Sequence, residues 1–251
     1  MSPNPGGQPT VVVARRVKPG CEAAFEANRE RNLEAMRTLL ATARTAGADP
    51  SMLVTSCGTC RESLAHYDLS RRLQDPLAHQ DVLQFLVGRV SHLADGERPA
   101  EGLLYHASCH AEWTGLPAAK AAETYRAALA RLTGTAVALS PGCCGESGLG
   151  AMTSPAIYNK IRERKQDQLA QDLDGRASDS PVLVGCPSCK IGIKRGLMAM
   201  GQDRPVLHAA EWLARQVGGK KWKKDAKRAF AKAKAEAGGL RRVDVDGFSG
   251  N

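Results

Sequence analysis

Short apolar runs alternate along the chain with longer segments of helical periodicity. Aliphatic or β-branched runs, each bounded by polar, Gly or Pro residues, occupy positions 10–14, 52–55, 103–105, 136–139 and 182–184. Runs of this length and composition are typical of buried strands. Helical patterns follow most of them, so the order of elements predicts an α/β fold with short, largely parallel sheets flanked by helices.

Three helices are predicted in the body of the chain. Residues 22–46 form one long amphipathic stretch, and the Ala-rich segment 118–132 places apolar residues on a single face. A third helix is predicted to begin at Ser154, with Pro155 in its first turn, and to run to about Leu173. Ser at the N-cap and Pro at the first helical position are common start signals.

A cysteine follows each of the five apolar runs. The eight cysteines stand at positions 21, 57, 60, 109, 143, 144, 186 and 189. Ligands of open α/β sheets bind beyond the carboxyl ends of the strands, and loops that leave parallel strands meet at one edge. Although a single buried cysteine is often only a small apolar residue, eight in strand-to-helix loops predict a common chemical role.

The cysteine motifs repeat along the chain. Cys57-Gly-Thr-Cys60 and Cys186-Pro-Ser-Cys189 are both C-x-x-C pairs after an apolar run, and Lys18-Pro-Gly-Cys21 parallels Ser140-Pro-Gly-Cys143. This pattern predicts two related halves. We expect an incomplete first half over 1–100, a complete second half over 101–217 and a basic, partly helical tail over 218–251.

Composition narrows the class of protein. The chain has 251 residues, of which 43% are hydrophobic, enough for a sizeable core, and its balance is unlike that of collagenous, disordered or disulfide-stapled chains. No apolar run reaches the length of a membrane span, and the polar, Pro/Gly-rich start is unlike a secretory signal. We therefore expect a cytoplasmic protein whose cysteines are not disulfides.

The net charge of +9 is concentrated in the tail. Ten basic and two acidic residues lie between Gly219 and Arg242, whereas the rest of the chain is nearly neutral. The Ala- and Lys-rich segment 220–237 predicts a helix with a thin apolar stripe. Such a helix suits an anionic surface, either the inner face of a membrane or a nucleic acid, although a Lys-rich tail is most often simply solvated.

The second half contains a complete set of five cysteines, spaced C-x33-C-C-x41-C-x2-C: Cys109, Cys143, Cys144, Cys186 and Cys189. A C-x-x-C pair places two thiolates on one turn, whereas a vicinal pair suits two irons better than one tetrahedral ion. Structural zinc needs four ligands, so five thiolates favour an iron–sulfur cluster. Glycines around the vicinal pair can bring backbone N–H groups to the sulfurs.

This arrangement resembles the cysteine-rich CCG domain. The residues that match are Pro141–Gly148 with Cys109 upstream and Cys186-Pro-Ser-Cys189 downstream, together with Tyr105-His-Ala-Ser-Cys109-His110. The domain occurs in the cysteine-rich subunit of heterodisulfide reductase, the iron–sulfur subunit of glycolate oxidase and lactate-utilisation iron–sulfur proteins. The resemblance covers roughly residues 17–217 and is strongest over 103–213.

The resemblance implies a redox role. In the CCG domain the five-cysteine motif binds a [4Fe-4S]-type cluster, including the non-cubane form. By this resemblance, the five cysteines of the second half would be the cluster ligands. Cys21, Cys57 and Cys60 would be the remains of a second site. The chain would act as an oxidoreductase subunit that relays electrons or reduces a disulfide or organic acceptor, with partners that are ferredoxin-like or flavin-bearing subunits.

Two other functions remain open from the residues. Four of the five cysteines could hold a structural zinc ion while the tail binds nucleic acid. Alternatively, Cys186–Cys189 or Cys57–Cys60 could cycle between thiols and a disulfide without metal. His106 and His110, which flank Cys109, are candidates to ligate metal, to tune it or to pass protons, or simply to bond to backbone.

Overall fold

The computed structural model of the chain describes residues 22–45, 47, 49–87, 102–110, 115–146 and 154–236. Its helices are α1 (Glu22–Thr45), α2 (Gly58–Ala65), α3 (Leu69–Leu73), α4 (Val82–Val87), α5 (Ala118–Thr133), α6 (Pro155–Asp172), α7 (Pro187–Ala199), α8 (Ala209–Gly218) and α9 (Trp222–Glu236). Its strands are β1 (Met52–Thr55), β2 (Ala78–Asp81), β3 (Leu103–His106), β4 (Val137–Ser140), β5 (Val182–Val184) and β6 (Val206–His208).

The larger sheet has four parallel strands in the order β4-β3-β5-β6. The chain leaves β3 for β4 on one side, crosses back to β5 on the other side and continues outwards to β6. The direction of winding therefore reverses between β3 and β5. Open sheets of this kind place their ligand sites beyond the carboxyl ends of the strands at such a reversal.

Helices bury both faces of this sheet. On one face, Leu104, Val182 and Val184 pack with Leu169 of α6 and Ile193 of α7. The opposite face packs against α5 and α8 through Leu103, Tyr105, Leu183, Leu129 and Trp212. Because strands buried on both faces need apolar side chains at successive positions, the short continuous apolar runs of the sequence became strands here.

By contacts, the chain divides into two compact units. Of the described residues, the first comprises 22–45, 47, 49–54, 64–79 and 224–236, and the second comprises 55–63, 80–87, 102–110, 115–146 and 154–223. Within the first unit, a small core forms around Leu33, Met36, Leu40, Leu53 and Tyr67. The second unit contains the four-stranded sheet and all seven cysteines that the structure describes.

The α/β class predicted from the sequence is confirmed, with short parallel strands flanked by helices and cysteine loops at the strand ends. The runs at 52–55, 103–105, 136–139 and 182–184 are strands, whereas the run at 10–14 lies outside the described residues. The helices predicted over 22–46, 118–132 and 155–173 each end within one residue of the observed bounds. The three-part division at 1–100, 101–217 and 218–251 stays a prediction.

The basic tail contains the predicted helix. A single 3-10 turn over Gly219–Lys221 leads into α9, which ends at Glu236. Among the residues that the structure describes, no helix combines the length and apolarity needed to cross a bilayer.

Candidate metal centre

The carboxyl ends of three neighbouring strands form the floor of the candidate site. The strand register aligns Ser140, His106 and Val184 in one row across β4, β3 and β5. A cysteine follows each of these strands within three residues: Cys143, Cys109 and Cys186. Cysteines separated by up to 77 positions along the chain are thereby brought to one edge.

Cys186 and Cys189 lie at the start of α7. Cys186 is the N-cap residue, Pro187 occupies the first helical position, and the Lys190 N–H donates to the Cys186 carbonyl oxygen at 3.0 Å. Pro is favoured here because the first helical N–H has no partner within the helix. The tight turn therefore holds both thiols at a helix N-terminus, where thiolates are stabilised.

Glycines shape the loop that contains Cys143 and Cys144. Gly142 and Gly145 have φ of 88° and 72°, which side-chain-bearing residues rarely adopt. The Gly145 N–H donates to Cys143 Sγ at 3.4 Å. Helix α7 approaches so closely at Gly192 that a Cβ there would lie 2.8 Å from the Cys144 carbonyl oxygen. The glycine turn and the close approach of α7 together fix the positions of Cys143 and Cys144.

The five cysteines predicted as ligands form a continuous run of thiol contacts, in the order Cys109, Cys143, Cys144, Cys189 and Cys186. Within it, Cys109 and then Cys144 donate to Cys143, which holds the pKa of Cys143 far below the usual thiol value. Cys189 and then Cys57 do the same for Cys186. The neighbouring Cys143 raises the pKa of Cys144 to about 11. Cys143 and Cys186 are thus the thiols most favoured as thiolates, the form that binds metal.

His106 lies within this run of thiols. The potential ligand atoms of His106, Cys144 and Cys189 all fall within 4.8 Å of one another, and all three side chains are buried. Neither ring nitrogen of His106 makes a well-formed hydrogen bond, although the Ser140 backbone interacts weakly with the ring. Burial, reinforced by the charge of Lys165, lowers the pKa of His106 to about 3, so the ring is neutral. A buried, neutral imidazole in this state is compatible with binding a metal ion beside Cys144 and Cys189.

Lys165 of α6 forms hydrogen bonds with the start of the loop that contains Cys143 and Cys144. The residue is 4% exposed, and its ammonium group donates to Ser140 Oγ at 2.7 Å and to the carbonyl oxygens of Pro141 and Ser140 at 2.8 and 3.3 Å. Burial lowers the pKa of Lys165 to about 8, against the attraction of Asp172 and the cysteines. A buried cation beside clustered thiols favours their ionised form.

Cys57 and Cys60 lie against the same group of sulfurs. Cys57 Sγ is 3.8 Å from Cys186 Sγ, and both Cys57 and Cys60 pack into the core that contains Cys144, Cys186 and Cys189. Their third predicted companion, Cys21, lies outside the described residues. None of the seven cysteines that the structure describes forms a disulfide.

Sequence reasoning missed two features of the site. It gave Lys165 no role, although a lysine in a helix after the vicinal pair is a weak signal for support of that loop. It also did not indicate that Cys57 and Cys60 pack beside the cysteines of the second half, although the repeated C-x-x-C motif is a signal of related placement. Outside the site, Glu146 pairs with Arg195 at 2.8 Å, and His208 caps α8 through Nδ1, which accepts from the Ala210 N–H at 3.2 Å.

One comparison with known proteins matches the segment that contains the site. Searches of curated proteins and of solved structures each found no significant match. A scan against family models matched residues 103–194 to the cysteine-rich domain CCG. That segment runs from β3 into α7 and includes all five cysteines of the second half. Residues 103–194 are therefore similar to the CCG cysteine-rich domain, in agreement with the resemblance seen in the sequence.

Proposed function

We propose that the chain is an iron–sulfur redox subunit. Cys109, Cys143, Cys144, Cys186 and Cys189 would hold a [4Fe-4S]-type cluster, with the non-cubane form as the variant that five thiolates suit. The observation that carries the proposal is the unbroken run of these five thiols along the edge of one parallel sheet. Such a cluster supplies single-electron transfer.

The residues around the thiols have distinct tasks in this proposal. Lys165 holds the loop carbonyls and adds positive charge, and the Gly145 N–H donates to a ligand sulfur. Hydrogen bonds and charge near the sulfurs raise the reduction potential of a cluster. Cys144, Cys186 and Cys189 are buried, whereas Cys109 is exposed. The side of Cys109 is therefore where an electron donor or an oxidised acceptor would approach.

Partners and location follow from the same chemistry. We infer that electrons reach the centre from another oxidoreductase subunit, ferredoxin-like or flavin-bearing, and leave to a disulfide or an organic acceptor. Seven reduced thiols within one unit need reducing surroundings, so a cytoplasmic location is part of the proposal. The basic helix α9 offers a contact for an anionic surface.

A structural zinc site is the second candidate function. The mutual proximity of His106, Cys144 and Cys189 favours it, because zinc binds mixed imidazole and thiolate ligands in a tetrahedron. It differs from the first candidate in a measurable way, since a zinc site contains no inorganic sulfide.

Anaerobic purification followed by assays of iron, zinc and labile sulfide tests the proposal. We expect iron and sulfide in similar amounts, with visible absorbance that dithionite bleaches. Cys144→Ala should lose most of this absorbance, whereas Cys21→Ala, the matched substitution, should largely keep it. Zinc at one per chain without sulfide would favour the second candidate, and metal-free protein with a titratable disulfide would contradict both.

A further inference from the structure

The first C-x-x-C motif repeats the local geometry of the second. Each pair follows a short strand, β1 or β5, and each begins a helix, α2 or α7. The N–H of the residue after the second cysteine donates to the carbonyl oxygen of the first in both: Arg61 to Cys57 at 2.9 Å and Lys190 to Cys186 at 3.0 Å. Both motifs thus present two thiols at the N-terminus of a helix.

The two motifs touch through their leading cysteines. Cys57 Sγ lies 3.8 Å from Cys186 Sγ, and Cys57 is 9% exposed. Cys60 makes a thiol contact with Cys57, so the run of contacting sulfurs extends beyond Cys186 to Cys57 and Cys60. Both motifs belong to the same compact unit.

The position of Cys57 is held from outside the thiol cluster. Nε2 of His208, at the end of β6, lies 2.9 Å from the Ser56 carbonyl oxygen. The same ring accepts from the Ala210 N–H through Nδ1, and Glu211 accepts from the His208 N–H at 3.1 Å. The strand β6, which neighbours β5, therefore holds the backbone at Ser56. This contact positions Cys57 next to Cys186.

The sulfur separation matches one particular kind of ligation. Metal–thiolate bonds of about 2.3 Å place two ligands of one tetrahedral ion about 3.8 Å apart. A disulfide requires about 2.05 Å instead. The 3.8 Å between Cys57 Sγ and Cys186 Sγ equals the separation expected for two ligands of one tetrahedral ion.

We propose that Cys57 and Cys60 are ligands of the same metal centre as the five cysteines of the CCG segment, and that Cys57 and Cys186 share one metal ion. Seven thiols would then be ligands of one metal centre. The alternative is that five thiols bind a cluster and the other two belong to a separate site. The inference deepens the proposed function and rests on it, with iron as the expected ion.

The test compares Cys57→Ser and Cys60→Ser with Cys21→Ser, a matched substitution of the same chemistry. Each protein is purified anaerobically from cells grown with iron-57, and iron, zinc, sulfide and the Mössbauer spectrum are measured. We expect Cys57→Ser to alter the signal of one iron site and to release metal to a chelator roughly ten-fold faster than wild type. Cys21→Ser should behave as wild type.

The outcomes separate this inference from the proposed function. Iron and sulfide in wild type with unchanged content, spectrum and release in Cys57→Ser would overturn the inference alone. Zinc without sulfide in wild type, lost in Cys57→Ser, would overturn the proposed function while supporting the shared ion. Wild type without any metal, or with a Cys57–Cys186 disulfide that takes up no metal after reduction, would overturn both.

A second measurement covers the case in which the serine variants fail to fold. Alkylation of wild type, read by mass spectrometry at each cysteine, should find the half-buried Cys60 protected while metal is bound and reactive after its removal. Alkylation of Cys60 at the same rate in both states would contradict its role as a ligand.

Discussion

At the scale of single residues, the site contains two buried polar side chains of a kind that is rare in protein cores. His106 is fully buried without a well-formed hydrogen bond to either ring nitrogen, and Lys165 directs a buried ammonium group at the backbone of the cysteine loop. Burying a poorly paired imidazole or a charged amine costs free energy, so groups of this kind are candidates for a functional role. Each can be tested by a single substitution.

Lys165→Met should shift the midpoint potential of the bound cluster to a more negative value, by roughly tens of millivolts. The substitution removes a buried positive charge and three hydrogen bonds at Ser140 and Pro141. A redox titration followed by absorbance measures it. Lys160→Met, on the exposed side of the same helix, is the control and should leave the potential unchanged. Equal potentials in all three proteins would contradict the role of Lys165.

Asp81 predicts a pH dependence of stability that is independent of metal. It is fully buried, and burial raises its pKa to about 6, although the Tyr125 hydroxyl and the Leu83 N–H donate to it at 2.8 and 2.7 Å. The pKa of an Asp side chain in the unfolded chain is about 3.9. The folded state therefore binds the proton more tightly between about pH 4 and pH 6. Stability should fall by about 2 to 3 kcal/mol as pH rises through this window and should not recover above it.

Asp81→Asn should remove that slope and raise the free energy of unfolding at pH 7 by about 1 to 3 kcal/mol, because its amide oxygen can accept the same bonds without a charge. Chemical denaturation at several pH values measures both effects. Asp179→Asn, at an exposed position, should retain the wild-type slope. If the pH dependence of the unfolding free energy persists in Asp81→Asn, it arises from other titratable groups.

At the scale of elements, helix α7 both supplies thiols and packs against the vicinal pair. The sequence pattern predicted the strands β1, β3, β4 and β5 and the helices α1, α5, α6 and α9, because their apolar positions are spaced for burial in a strand or on a helix face. The short helices α2, α3 and α4 were not predicted, since five to eight residues give too little periodicity. Nor did the pattern show that Gly192 faces Cys144, because a glycine in a helix has no side chain to indicate its direction.

Gly192→Ala should destabilise the fold and reduce metal content. Its new Cβ would lie 2.8 Å from the Cys144 carbonyl oxygen and 3.0 Å from the Cβ atoms of Cys144 and Glu146. Overpacking of this kind costs about 1 to 3 kcal/mol, more than the gain of up to about 1 kcal/mol in helix propensity. Thermal unfolding and an iron assay measure the two effects.

Gly196→Ala in the same helix is the matched control. Its Cβ would meet only Gln166 and Leu169 side-chain atoms at 3.7 Å, an ordinary contact. It should therefore stabilise the helix slightly, by about 0.5 to 1 kcal/mol, and leave metal content unchanged. The same response in both variants would show that helix propensity, and not the approach to the cysteine loop, decides the effect.

At the scale of the whole molecule, the thiols connect the ends of β3, β4 and β5 and the start of α7. Metal that binds only the folded arrangement stabilises it by mass action. Anaerobic removal of the metal should therefore lower the Tm of wild type by several degrees. Cys144→Ala should show little change under the same treatment. An unchanged Tm in stripped wild type would contradict a structural contribution of the centre.

The sequence by itself determined the α/β class, the strands that precede the cysteines, and the likeness of residues 103–194 to the CCG domain, because apolar patterns and motif spacing are read directly along the chain. It could not determine which distant loops meet, since that depends on the strand order β4-β3-β5-β6 and on how both C-x-x-C motifs pack. The burial of His106 and Lys165 beside the thiols was equally hidden, because burial is a property of the assembled layers. Only the tertiary structure brought Cys57 to 3.8 Å from Cys186, across 129 positions of chain.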